Sequence, residues 1–125
     1  MKNIKTTKNV LITGASSGFG YAIAEILTSK GWVATNLGRN PSTVCDENIL
    51  IDLSELDLLD AKIKELPLSE INKFDLLILN AGTLGEIKHI SFLAQESVME
   101  VMRVNVFSNK IILDNFLGNI KRSNL

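Results

Sequence analysis

The segment Lys8 to Tyr21, KNVLITGASSGFGY, restricts what this chain can become more than any other. Val10, Leu11 and Ile12 make a short apolar run of strand type, and Thr13 to Gly20 follow as a glycine-rich turn. Tyr21 to Lys30, YAIAEILTSK, predicts a helix with Ile23, Ile26 and Leu27 on one face. Strand, glycine turn and helix in that order make a βα unit suited to phosphate. Gly14, Gly18 and Gly20 lack a Cβ and let an anion approach the main chain. The first N–H groups of the helix, with the positive end of its dipole, then face that anion. The spacing is Gly-x-x-x-Gly-x-Gly rather than the usual G-x-G-x-x-G, with similar mechanics. Taken alone, such a turn also serves as a plain strand-to-helix connection.

The rest of the chain extends the alternation. Gly31 is placed to stop the first helix. Trp32 to Leu37, WVATNL, is a second strand candidate that closes in the turn Gly38-Arg39-Asn40-Pro41. Asn48 to Leu53, NILIDL, is a third. Ser54 with Asp57 resembles a capping box and predicts a helix through about Leu66, stopped by Pro67. Its buried stripe is Leu58, Leu59, Ile63 and Leu66. Phe74 to Leu79, FDLLIL, is nearly continuous in apolar residues, as a parallel strand covered on both faces should be, and runs into Asn80-Ala81-Gly82. After a loop from Gly82 to Glu96, Ser97 and Glu100 form a capping-box pattern that opens a long helix through about Ile120.

This alternation predicts an α/β fold: a Rossmann-like, doubly wound parallel sheet of about four strands with helices on both faces. Right-handed crossovers order the strands 3-2-1-4. That order brings Gly14 to Gly20 and Asn80 to Gly82 together at the switch point, where open α/β sheets bind ligands.

Composition narrows the function. The 125 residues suit a single domain, and 46% hydrophobic with 22% charged residues is ordinary for a globular protein. A formal net charge of -1 offers nothing to nucleic acid or an acidic membrane, and the basic residues of Met1 to Lys8 are a thin scatter in a solvated tail. VLITG is too short for a signal-peptide core, and no apolar run approaches membrane-spanning length. Cys45, the sole cysteine, excludes an intramolecular disulfide and a cysteine-based metal motif, and His89 has no second histidine with which to share a metal. Both are expected to be loop residues, with a reactive thiol as the alternative for Cys45, and no metal site is expected. A soluble cytoplasmic protein is the expectation.

NAD-binding units carry an acidic residue near the end of the second strand for the ribose 2′-hydroxyl. Here those positions hold Leu37, Gly38 and Arg39. The planar fork of Arg39 suits a 2′-phosphate, although a solvated turn arginine is the plain alternative. Written out as Thr13-Gly14-Ala15-Ser16-Ser17-Gly18-Phe19-Gly20, the glycine loop closely resembles the cofactor loop of the short-chain dehydrogenase/reductase family. Asn80-Ala81-Gly82 resembles that family's second motif, with Leu79 where the family often has another asparagine.

The resemblance implies a nicotinamide dinucleotide bound by Thr13, Gly14, Ser16, Ser17, Gly18, Phe19 and Gly20. Asp52 would bond the adenine ring with Leu53 beside it, and Asn80, Ala81 and Gly82 would contact the cofactor. Arg39 just after the second strand looks like the family's NADP-preferring pattern, so NADP(H) is expected over NAD(H). Asn105, within Val-Asn-Val, matches the catalytic-tetrad asparagine that helps position the catalytic lysine through an ordered water. Asp52 as a polar residue opening the next turn, and Asn105 as an asparagine without a role, are the plain alternatives.

The family's reaction is hydride transfer between a nicotinamide and a carbonyl or alcohol. The resemblance spans the whole chain but only the first half of the family's domain, so residues 1–125 are expected to be incomplete at the C-terminal end. The catalytic serine and the Tyr-x-x-x-Lys pair are missing: the one tyrosine, Tyr21, has Glu25 four residues on. Carbonyl reduction needs a positioned proton donor, so the isolated chain is expected to be inactive. Val98, Met99, Val101, Met102, Val104, Val106, Phe107 and the apolar residues on to Ile120 surround most of the last helix. Such a helix is buried on more than one side, which predicts self-association or a partner chain through residues 97–120. Two functions follow: a short-chain oxidoreductase present as a truncated or partial sequence, or a non-catalytic nucleotide-binding or interaction module that pairs with another chain.

Overall fold

β1, Asn9–Thr13, is the strand on which the others are laid, because Val10, Leu11 and Ile12 are apolar on both faces and at most 1% exposed. The computed structural model describes residues 7–119. Beside β1 lie β2 (Val33–Gly38), β3 (Glu47–Leu50) and β4 (Leu76–Ile78), all parallel, in the order β3-β2-β1-β4. The predicted order is the observed one. The helices are α1 (Gly18–Ser29), α2 (Leu56–Lys64), α3 (Leu68–Ile71), α4 (Gln95–Met102) and α5 (Ser108–Phe116).

Alternation along β1 divides the core between two layers. Val10 and Ile12 pack with Ala15, Ala24 and Ala34 on the α1 side. Leu11 and Leu37 pack with Leu59, Ile63, Phe74, Ile112 and Phe116 on the side of α2 and α5. Phe74 and Phe116 meet edge to face, 5.6 Å between centroids, and tie α5 to the start of β4. Among the described residues no helix is long and apolar enough to cross a membrane.

Several local expectations are corrected. α1 approaches the sheet through the small residues Gly20 and Ala24, which turns Ile26 outward to 55% exposure while Ile23 and Leu27 stay partly buried. Its end is as predicted: Gly31 is left-handed (φ +91°), and the Gly31 and Trp32 N–H groups return to the Thr28 and Leu27 carbonyls. Strands β2, β3 and β4 are shifted or shorter than the apolar runs that announced them.

Neither predicted capping box forms. Ser54 gives both its N–H and its hydroxyl to Asp52 Oδ1, so α2 starts later, at Leu56, and buries Leu59 and Ile63 but leaves Leu58 58% exposed. Leu66 lies beyond α2 and packs partly against the core. Pro67 both follows α2 and opens the short α3, which the sequence pattern did not announce. Ser97 is inside α4 and donates to Glu86 Oε1, and α4 begins at Gln95. His89 sits at the start of a short 3₁₀ turn, Ile90–Phe92.

The long last helix is interrupted by a π-helical turn, Arg103–Phe107, in which the Ser108 N–H bonds the Arg103 carbonyl five residues back. This inserted residue rotates α5 relative to α4. α5 buries Ser108, Ile112 and Phe116, whereas α4 buries none of its residues. Helical structure continues as a 3₁₀ turn over Leu117–Asn119, and Ile120 lies outside the described residues. β4 is not covered on both faces as expected. Leu77 and Leu79 reach the α2/α5 core, but on the other face only Ile78 packs, and only partly, against the Val10 and Ile12 layer, leaving Leu76 37% exposed.

Candidate binding site at the switch point

At the carboxyl ends of β1 and β4 two loops are fastened to each other. Thr13 is fully buried, and its Oγ1 accepts from the N–H groups of Asn80 (3.0 Å) and Ala81 (2.9 Å). Asn80 Nδ2 returns the contact, donating to the carbonyls of Thr13 (3.3 Å) and Gly14 (3.2 Å). Gly14 is left-handed (φ +71°), and a Cβ there would lie 3.0 Å from the Ala81 Cα. A Cβ on Gly20 would meet the Gly14 carbonyl oxygen and stand 2.5 Å from Asn80 Nδ2. The glycines therefore let α1, the loop and the Asn80 turn close on one another.

Ser17, extended at φ −158°, precedes α1 without capping it through its side chain, and the first turn holds no acidic residue. The first-turn N–H groups and the helix dipole are thus uncompensated at this end, as an anion site requires. A cleft of about 400 Å³ opens here. Gly14, Ser16 and Ser17 form one wall, and Gly38, Arg39, Asn40, Asp52 and Leu53 another. Asn80, Ala81, Gly82 and Thr83 lie across from these, with Glu100 and Val104 closing one side. That volume falls in the range of small-molecule sites.

Of the residues expected at a cofactor, Gly14, Ser16, Ser17, Arg39, Asp52, Leu53, Asn80, Ala81 and Gly82 share this cleft. Thr13 lies behind it as the tie between loops. Gly20 is buried, Gly18 opens α1, and Phe19 points its ring away to 84% exposure; none of the three lines the cleft. Arg39 is exposed and close enough to act electrostatically on Asp52. The Asp52 pKa is lowered, first by the Ser54 backbone N–H, against partial desolvation, with help from the Ser54 hydroxyl and the Arg39 charge.

Asn105 stands behind the cleft, in the π turn. Its Oδ1 accepts from the Thr83 N–H (2.8 Å) and its Nδ2 donates to the Thr83 carbonyl (2.9 Å), a two-point hold on the loop after β4. The π turn redirects main-chain bonding, and side chains of the next turn serve the carbonyls: Ser108 Oγ that of Val104 (2.6 Å), Asn109 Nδ2 that of Asn105 (3.0 Å).

Gly38, Asn40, Thr83, Glu100 and Val104 also line the cleft and were not foreseen as site residues. Thr83 directly follows the Asn-Ala-Gly turn, which was its signal. Glu100 and Val104 are four residues apart, a spacing that puts both on one helix side. Among the described residues no cluster of three or more His, Cys, Asp or Glu could hold a metal. Cys45 is half-buried, and burial pushes its thiol pKa up, away from reactivity.

A nicotinamide dinucleotide fits this donor set: an uncompensated helix N-terminus for pyrophosphate, a cation at the far wall, and a carboxylate beside it. The family model for short chain dehydrogenases matches residues 8–124. Over 104 residues the chain is 33% identical to the 3-ketodihydrosphingosine reductase of Bacteroides thetaiotaomicron, covering 78% of this chain and 36% of the reductase. It superposes on a 4-hydroxyisoleucine dehydrogenase complexed with NADH at TM-score 0.78 and 25% identity, over 90% of this chain and 49% of that one. A 3-oxoacyl-(acyl-carrier-protein) reductase from Agrobacterium tumefaciens with NADP bound gives TM-score 0.76 at 25% identity, over 90% and 47%. The chain spans less than half the length of each of these three proteins.

Proposed function

The chain belongs to the short-chain dehydrogenase family, and from that membership we propose that residues 1–125 are the cofactor-binding half of an oxidoreductase using NADP(H) in preference to NAD(H). The observation that carries this is the shared cleft: Ser16 and Ser17, which lead into the uncapped N-terminus of α1, line one space with Arg39, and β2 ends in Gly38 where a carboxylate would repel a 2′-phosphate. The α1 N–H groups with Ser16 and Ser17 hold the pyrophosphate. Arg39 meets the 2′-phosphate with a charge-assisted bond. Asp52 accepts from the adenine amino group, Leu53 lies against the ring, and Asn80, Ala81 and Gly82 form the floor toward the nicotinamide. Glycine-loop residues Thr13, Gly18, Phe19 and Gly20 shape this arrangement.

Bound dinucleotide supplies the hydride for a carbonyl, or accepts one from an alcohol. Asn105, in the family's tetrad role, holds Thr83 and orients the lysine through water. Within residues 1–125 the one tyrosine has Glu25 at the family's lysine position, so proton transfer is assigned to groups outside them and these residues alone are inactive. The matched relatives named above are two reductases and a dehydrogenase, which supports an oxidoreductase over a non-catalytic pairing module. Partners are part of the same reading. Val98, Met99, Met102, Val106 and Phe107 are 36–46% exposed on α4 and the π turn, which supports self-association or a partner chain at this surface.

Fluorescence titration with NADPH and NADH tests the cofactor assignment. NADPH should bind more tightly, and Arg39→Ala should weaken it about tenfold or more while sparing NADH, as loss of a charge-assisted bond implies. Equal affinities untouched by Arg39→Ala would remove the reading.

A further inference from the structure

Asn36 is an amide in the middle of β2, fully buried and paired with the apolar Ile12 of β1. A buried amide is costly unless its hydrogen-bonding groups are used. Here both ends are used. Oδ1 accepts from the Ala15 N–H of the glycine loop (2.9 Å). Nδ2 donates to the Asn40 carbonyl (2.9 Å) and to Asn48 Oδ1 (2.9 Å), which lies directly across the β2–β3 ladder. Asn48 Oδ1 also accepts from the Ser42 N–H (2.8 Å).

The bonds form one chain from the glycine loop, through β2, to both Asn40 and Ser42. Arg39 lies in the turn between β2 and those anchors. Its side chain is exposed, so the anchored backbone sets where its guanidinium can reach. Ala15, Asn36 and Ser42 are all buried, and Ala15 and Ser42 are held at their backbone N–H groups.

We propose that Asn36 and Asn48 are positioning residues that set the dinucleotide preference, by fixing the Arg39 turn at a defined distance from the pyrophosphate loop. This rests on the NADP(H) reading above. Both dinucleotides use the glycine loop, but only the 2′-phosphate needs the Arg39 turn. Asn48 holds that turn alone, whereas Asn36 holds both. The two residues therefore differ in what their loss affects.

The test is titration of the full 125-residue chain and its variants with NADPH and NADH, with melting temperature as the folding control. Wild type should prefer NADPH. Asn48→Ala should weaken NADPH about three- to tenfold, in the lower part of the range of coupling between neighbouring groups, and leave NADH within twofold. Asn36→Leu should weaken both, NADPH the more. In an Arg39→Ala background the effect of Asn48→Ala should vanish, because there is no guanidinium left to misplace. A merely structural loss would move both cofactors together and persist in that background.

Should Asn48→Ala not fold, Asn48→Ser withdraws the shared oxygen while keeping a hydroxyl in the same edge strand, and the same selective loss is expected. Equal wild-type affinities would overturn the NADP(H) reading and this inference with it. A wild-type preference that survives Asn48→Ala and Asn48→Ser, or a loss that persists with Arg39→Ala, would overturn this inference alone.

Discussion

Gly20 shows how a single missing atom sustains the site. A Cβ there would strike the Gly14 carbonyl and crowd Asn80 Nδ2, neither of which can retreat without loosening the tie to Thr13. Gly20→Ala should destabilise the fold by about 1–3 kcal/mol, as overpacking does. Gly118→Ala, with open space around it, should stay within about 0.5 kcal/mol. Urea denaturation compares them, and equal midpoints would sink the packing argument. Asp52 offers a pH test. Its folded pKa lies below the ordinary 3.8, so its stabilising effect is complete above that value and is lost as pH falls through the folded pKa. Asp52→Asn should therefore flatten the acid limb of stability below about pH 4 and leave its slope near neutrality unchanged. Identical acid limbs for both proteins would discard that contribution. The glycines and Asn80-Ala81-Gly82 were legible because their chemistry is local to a short motif. Asn36 was not: two of its three partners are 21 and 12 residues away, and without them it is only a polar interruption in a strand.

At the scale of elements, helix starts were the least legible feature. The Ser-x-x-acid pattern appears twice, yet Ser54 bonds back to Asp52 and Ser97 reaches Glu86 across the preceding loop, and both helices begin elsewhere without a side-chain cap. The last helix was legible in existence and apolarity, but its π turn was not. Within that turn Asn105 is bonded to Thr83, on a loop 22 residues earlier, a contact no local pattern announces. Asn105→Ala removes both bonds to Thr83 and should speed exchange of the Thr83 amide about tenfold, the worth of roughly 1.4 kcal/mol. Hydrogen exchange read by NMR checks this, with the amides of β1 as the unchanged reference. Exchange at Thr83 equal to wild type would mean that something else holds the loop.

Over the whole molecule, the strand order was legible because alternating strands and helices admit few right-handed arrangements. Coverage was less so: the reach of α1 leaves part of β4 bare, and the rotation at the π turn leaves an apolar stripe on α4. If that stripe is a contact surface, the wild-type chain should sediment as more than a monomer, and Met102→Glu with Val106→Glu should shift it toward monomer without lowering NADPH affinity. A wild-type monomer throughout the micromolar range would rule the surface out. The Thr13 hydroxyl has a further consequence, in time rather than space. Its partner Ala81 is 68 positions away, so the two loops of the cleft cannot meet until β4 has been made and has docked on β1. At ~5–20 residues per second a ribosome needs roughly 3–14 s to cover that interval. During that interval the glycine loop exists without a floor, and a nascent chain halted before Asn80 offers a nucleotide only half a grip.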